Sequence, residues 1–174
     1  MLRDEHAAAL VYLREAASVR PDIAGIWVNL GVLYARHARY EHAEAAYLRA
    51  LEVDEDEPSA MTNLALVYHA LGETTLAEEY RDRVQGYRER NPYYHFASAT
   101  RAYEERQLED ALASLRKALR LKPDDHQFYQ LRGRVEAALG KSRDATESFE
   151  RARAYAEAEE LRARSLVEFG LGLR

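Results

Sequence analysis

Small apolar residues return along this 174-residue chain at one fixed step. Ala9, Ala43, Ala77, Ala111 and Ala145 stand 34 residues apart, and Gly31, Ala65, Ala99 and Gly133 form a second ladder at the same step. Between the rungs lie runs rich in Ala, Leu, Glu and Arg, all good helix formers, broken at Pro21, Pro58, Pro92 and Pro123. No stretch carries the period-two alternation of a strand. The pattern predicts an all-α chain of antiparallel helix pairs. It places an unpaired helix over 4–19, pairs over 24–53, 58–90, 93–122 and 126–155, and a C-terminal cap over 156–170, all in a single domain spanning 1–174. Small residues belong where two helices cross, because the backbones can approach there and larger side chains interlock around them. One pair cannot bury its apolar face alone, so neighbouring pairs stack on a shared core.

The stretch over 26–54 carries a recognisable motif. Trp27 is followed by Leu30-Gly31 and Tyr34, and later by Ala43 and, four residues on, Tyr47. This resembles the tetratricopeptide (TPR) repeat, with its W-x₂-L-G-x₂-Y…A-x₃-F…P pattern returning about every 34 residues. Met61, Asn63, Leu64, Ala65 and Tyr68 repeat the pattern one step later, and Gly133, Gly140, Ala145, Phe149 and Ala152 carry it in the fourth repeat. The resemblance covers roughly 4–155. It implies a right-handed α-solenoid, a superhelix of about four repeats, whose concave face is lined by the first helix of each pair and holds a peptide or a helix of another protein.

Several places depart from the pattern. Ala9, Leu13 and Ala16 match Ala43, Tyr47 and Ala50, so 4–19 reads as a second helix without its first. That suits either an N-terminal cap or a piece of a longer protein, and Val11 and Tyr12 on its outer side favour the piece. Arg81 stands where an aromatic is expected, while Leu76, Tyr80, Val84 and Tyr87 form a stripe at spacings of four, four and three. This helix is expected to be rotated or lengthened. Strict spacing puts Ala102 where Tyr34 and Tyr68 stood, with Tyr103 one residue late, so that helix has two possible registers. After Ala145 nothing interrupts the chain until Gly170, so the last helix either continues or bends into a cap with Leu166, Val167, Phe169, Leu171 and Leu173.

Composition mainly excludes. A net charge of −5 argues against a nucleic-acid partner, which a basic surface would attract. The absence of cysteine removes disulfides, thiol catalysis and cysteine metal sites. Asp4, Glu5 and Arg14 interrupt the first apolar run, which is neither a signal peptide nor a membrane span. A complete chain would be cytoplasmic; a piece of a longer one leaves the compartment open. The heavy Ala, Arg and Leu usage suits a GC-rich bacterial source. No HExxH, P-loop or GxSxG motif occurs, and His37 and His42 straddle a turn in poor geometry for a metal. No catalytic residue, cofactor or metal is expected.

A binding surface is expected instead. Asn29 and Asn63 each precede the motif leucine, and an asparagine can pair with both the N–H and the C=O of an extended backbone. In TPR proteins that bind extended peptides, asparagines in this place do that work, and these two resemble them; the structural alternative is an interhelical tie. Ala97 and Leu131 end the series. His69 lies near Asn63, and Phe96 or Tyr94, Tyr103 and Arg134 offer an apolar platform with a cation beside it. Against that, Tyr93 and Phe96 are the sort of residues that fill core left by the rotated preceding helix. Lysines are absent from the first-helix positions, so the two-carboxylate clamp of chaperone-binding TPR domains is not reproduced. Two functions follow from this surface: a protein- or peptide-binding adaptor, or an assembly module that stacks by its ends on another domain or a second copy.

Overall fold

The computed structural model describes residues 2–171, with side chains at residue 6 and residues 8–165. Within them the chain forms nine α-helices: α1 (Leu2–Val19), α2 (Ala24–Arg36), α3 (Tyr40–Val53), α4 (Pro58–Leu71), α5 (Thr74–Arg90), α6 (Pro92–Glu104), α7 (Leu108–Leu121), α8 (His126–Ala138) and α9 (Ser142–Leu171). They group into two compact units, Met1–Tyr87 and Arg88–Arg174.

Local chemistry sets the boundaries. Pro58 and Pro92 occupy the first turns of α4 and α6, where a missing N–H costs nothing. Glu57 accepts from the Ser59 N–H, Asn91 from Tyr93 and Tyr94, and Asp125 from Gln127, each satisfying donors that a helix start leaves open. The turns inside the four pairs share one device. Ala38, Gly72, Arg106 and Gly140, again 34 residues apart, all sit in the left-handed region, with φ of 55°, 81°, 63° and 74°. Glycine adopts that region freely, whereas alanine and arginine do so under strain.

In the first unit, α1 presses Leu10, Leu13 and Ala17 onto the core shared with α2 and leaves Val11 and Tyr12 in solvent. Both ladders are buried from Gly31 onward, and Ala9 on α1 is half-buried. Ala43, Ala77, Ala99 and Ala111 are 0% exposed, Ala65 and Ala145 are 4% exposed, and Gly31 and Gly133 are buried with them. The α5 stripe faces inward through Tyr80 and Val84, with Leu76 and Tyr87 half-buried, while Arg81 is exposed. At 17 residues against 14 for α3, this helix is lengthened.

In the second unit, Ala99 and Ala102 are the buried residues of α6, so the strict register holds and Tyr103 lies partly buried beside it. Two expectations need correction. Tyr93 is 51% exposed and does not fill the core; Phe128 of α8 is fully buried in the core of this unit, and of the aromatic quartet Phe96 alone packs against that cluster. No separate cap exists over 156–170 either. With no breaker before Gly170, those residues are the distal half of a continuous 30-residue α9. The side chains of Leu166, Val167, Phe169, Leu171 and Leu173 lie outside the described residues.

Candidate interaction surfaces

In the first unit the relevant elements are α2 and α4, which touch. Leu30, Gly31 and Tyr34 turn the apolar side of α2 inward, and Leu64, Ala65 and Tyr68 do the same for α4. Asn29 is thereby left exposed and Asn63 half-buried. No hydrogen bond ties either amide to another group among the described residues. His69 is exposed in the last turn of α4. The same side of α4 carries Leu66, 60% exposed and three residues after Asn63. Leu66 was not singled out in the sequence; its signal there is an apolar residue outside the motif but in helical phase with Asn63.

The second unit holds the aromatic and basic residues in two groups. Arg134 of α8 places its guanidinium 5.3 Å from the centre of the Tyr103 ring, within cation–π range. Phe96 stacks instead on Phe128, centroids 4.9 Å apart and 26° between planes, and Tyr93 meets Phe128 edge-on at 5.6 Å. Phe96 and Tyr103 lie seven residues apart on α6, so the two groups share a helix face.

A polar cluster adjoins the second group. The Lys122 ammonium donates to Asp125 at 2.8 Å and to the Tyr93 hydroxyl, and it lies 4.9 Å over the Tyr93 ring. The Asp125 bond, then that to Tyr93, raises the lysine pKa above its usual value, so the cation persists throughout the physiological range. Asp125 also caps α8, which makes this lysine a structural tie. Among the described residues no group of three or more His, Asp or Glu could hold a metal ion. Nor, among them, is any helix long and apolar enough to cross a membrane.

The family model described as the tetratricopeptide repeat matches residues 3–58, 33–94 and 96–159. The chain belongs to the TPR family. Among curated proteins it is similar to the protein O-mannosyl-transferase TMTC3 of Homo sapiens, 29% identical over 151 residues that cover 77% of this chain and 16% of that protein. The Mus musculus counterpart is 28% identical, with 81% of this chain and 13% of that protein covered. The chain therefore spans less than a fifth of the curated relatives it matches. Among solved structures it is similar to MamA, at 15% identity and a TM-score of 0.49, with 91% and 93% of the two chains covered. It is also similar to YrrB, described as a TPR protein with an unusual peptide-binding site, at 19% identity and a TM-score of 0.46, covering 93% and 84%.

Proposed function

We propose that this TPR chain is a non-catalytic protein-interaction module that holds an extended peptide on the open side of α2 and α4. The observation that carries this reading is the pair Asn29 and Asn63. Neither amide has a hydrogen bond among the described residues, and the two stand one repeat apart on touching helices, with an exposed apolar side chain, Leu66, beside the second. Two amides at one phase of successive repeats suit a ligand recognised through its backbone, each supplying a donor and an acceptor. Leu66 supplies apolar contact beside them, and His69 a polar group in the next turn. Tyr103 and Arg134 form a second contact set in the other unit, suited to an apolar or π-rich side chain.

The test begins with pull-down by the purified chain and identification of the bound segment. Affinity for that segment and the melting temperature are then compared between the parent and the Asn29→Ala/Asn63→Ala variant. Binding should weaken by about 1–3 kcal/mol, the range for leaving buried partners unpaired, with the melting temperature little changed. Intact binding with lost stability would make the asparagines interhelical ties.

The assembly reading has one observation of its own: Val11 and Tyr12 on α1 are 61% and 71% exposed. Gel filtration with light scattering separates the two readings, since an adaptor of this kind is a monomer and an end-stacking module is not.

A further inference from the structure

The first unit contains a concavity away from the asparagine pair. Helices α1, α2 and α3 enclose a cleft of about 400 Å³ lined by Ala17, Trp27, Leu30, Tyr34, Ala45 and Ala46. That volume falls within the usual range for ligand pockets, about 300–1,000 Å³. Arg14, His42 and Arg49 stand at its edge, and no carboxylate lines it among the described residues. Arg14 donates through Nε and Nη2 to the Tyr34 hydroxyl at 3.1 and 2.8 Å, and Arg49 lies 5.4 Å over the Trp27 ring.

The repeat itself shows what is missing here. One step along the chain, Tyr68 takes the place of Tyr34 and Tyr80 takes the place of Ala46. Those two tyrosines stack, centroids 5.6 Å apart and 26° between planes, and Tyr80 is 7% exposed. In the fourth repeat the same two places hold Glu136 and Ser148, joined by a 2.6 Å hydrogen bond. In the first repeat the second place holds only the Ala46 methyl group, while His42 lies 5.2 Å from the Tyr34 ring and the Arg39 and Arg14 guanidiniums stand 5.1 and 5.8 Å from its centre. The cleft is therefore open on the side from which a ring fills the equivalent volume one repeat later.

We propose that the α1–α2–α3 cleft is a binding site for an aromatic side chain of a partner peptide that carries a carboxylate beside it. The ring takes the place that Tyr80 holds against Tyr68, facing Tyr34. The carboxylate meets Arg14, whose bonds go to the Tyr34 hydroxyl, and Arg49, which pairs with Glu52 outside the lining and turns its guanidinium over Trp27. This site is independent of Asn29 and Asn63, which do not line it.

Trp27 is the sole tryptophan of the chain and lines the cleft, so its fluorescence reports occupancy directly. The probe is an acetylated glycine-rich peptide ending in Asp-Phe with a free C-terminus, titrated beside its C-terminal amide, a version ending in Asp-Ala, and free 3-phenylpropionate. A saturable change in Trp27 emission is expected with the first, weakened about tenfold or more by amidation or by loss of the ring. Ala46→Tyr, which supplies the ring from within, should abolish the response while keeping the parent's melting temperature or raising it. Should that variant fail to fold, Arg49→Gln must weaken the probe about tenfold. The proposal is overturned by the absence of a saturable response, by equal binding of the Asp-Ala peptide, by undiminished binding in folded Ala46→Tyr, or by undiminished binding in Arg49→Gln. Binding of 3-phenylpropionate as tight as that of the peptide would assign the cleft to a free aromatic acid and overturn the peptide assignment.

Discussion

Gly31 faces the ring of Tyr47 so closely that a Cβ on the glycine would lie 2.6 Å from Tyr47 Cδ1. The pair returns three repeats later, where a Cβ on Gly133 would meet Phe149 at 2.8 Å. In the two repeats between, the corresponding pairs are Ala65 with Arg81 and Ala99 with Leu115. Glycine thus stands where its partner sixteen residues on is a ring, and alanine where it is not. Gly31→Ala should cost about 1–3 kcal/mol through overpacking. Adding Tyr47→Leu, the combination found in the third repeat, should return part of that cost. Thermal unfolding of the two single variants and the double variant gives the coupling; strictly additive effects would refute the pairing.

The left-handed turns predict gains. A non-glycine residue in that region costs about 1–2 kcal/mol, offset by roughly 0.5–1 kcal/mol for the extra freedom glycine has when unfolded. Arg106→Gly, and separately Ala38→Gly, should therefore raise stability by about 0.5–1 kcal/mol. Gly72→Ala should lower it. Denaturant midpoints of the three variants decide the point.

Burial raises the pKa of the Tyr47 hydroxyl to about 12 and pushes Tyr68 up as well, the latter also through its hydrogen bond to Glu44. Below the ordinary tyrosine value of about 10 both folded and unfolded chains are protonated, and this stabilisation is complete. Above it the unfolded chain ionises first, so stability falls as pH rises towards about 12. Melting temperature followed across that window should drop, and Tyr47→Phe should flatten the drop. An unchanged slope would mean that other groups dominate.

Leu66 is exposed, so its replacement should be felt in binding alone. Leu66→Ser should move stability by no more than about 0.5 kcal/mol. Affinity for a segment captured by the α2–α4 surface should fall by about 1 kcal/mol or more. Unchanged affinity would place the ligand elsewhere.

The buried Glu136, 3% exposed, accepts from Arg132 at 2.7 Å and from Ser148 at 2.6 Å. Ser148→Ala removes one of these donors and should destabilise by about 1–3 kcal/mol, the cost of an unsatisfied buried group. Glu136→Leu with Ser148→Ala, which removes both polar partners, should be milder than the single change. Chemical denaturation of the two variants is the check.

What could be read from the sequence follows from what repeats. The ladders at Ala43 and Gly31 fix helix crossings because small residues there answer to backbone approach, a constraint set within each pair. The stripe on α5 was legible for the same reason: Tyr80 and Val84 declare a buried face by spacing alone. Tyr93 was misplaced because an aromatic near a helix start can fill core or lie across it, and the deciding residue, Phe128, stands 35 positions later. The proposed binding surfaces were less legible. Asn29 and Asn63 stand out by phase, but the cleft beside Trp27 arises from the absence of a ring at Ala46, and an alanine among many alanines gives no signal until its neighbours are placed.

The long last helix separates two quantities that usually travel together. Its pairing with α8 ends near Glu159, which meets His126, and the described side chains from Glu159 to Ser165 are all exposed. The remaining twelve residues to Leu171 form roughly 18 Å of helix. Among the described side chains of this stretch, Arg164 pairs with Glu160 and Ser165 bonds back to Leu161, both at i,i+4 spacing within the helix. A helix so short is marginal by itself, and exposed ion pairs weaken as salt screens them. Backbone helicity should therefore decline on warming before the tertiary core loosens, and earlier in concentrated salt. In this protein, far-ultraviolet dichroism and tryptophan emission will trace different melting curves, and neither by itself is a measure of the whole chain.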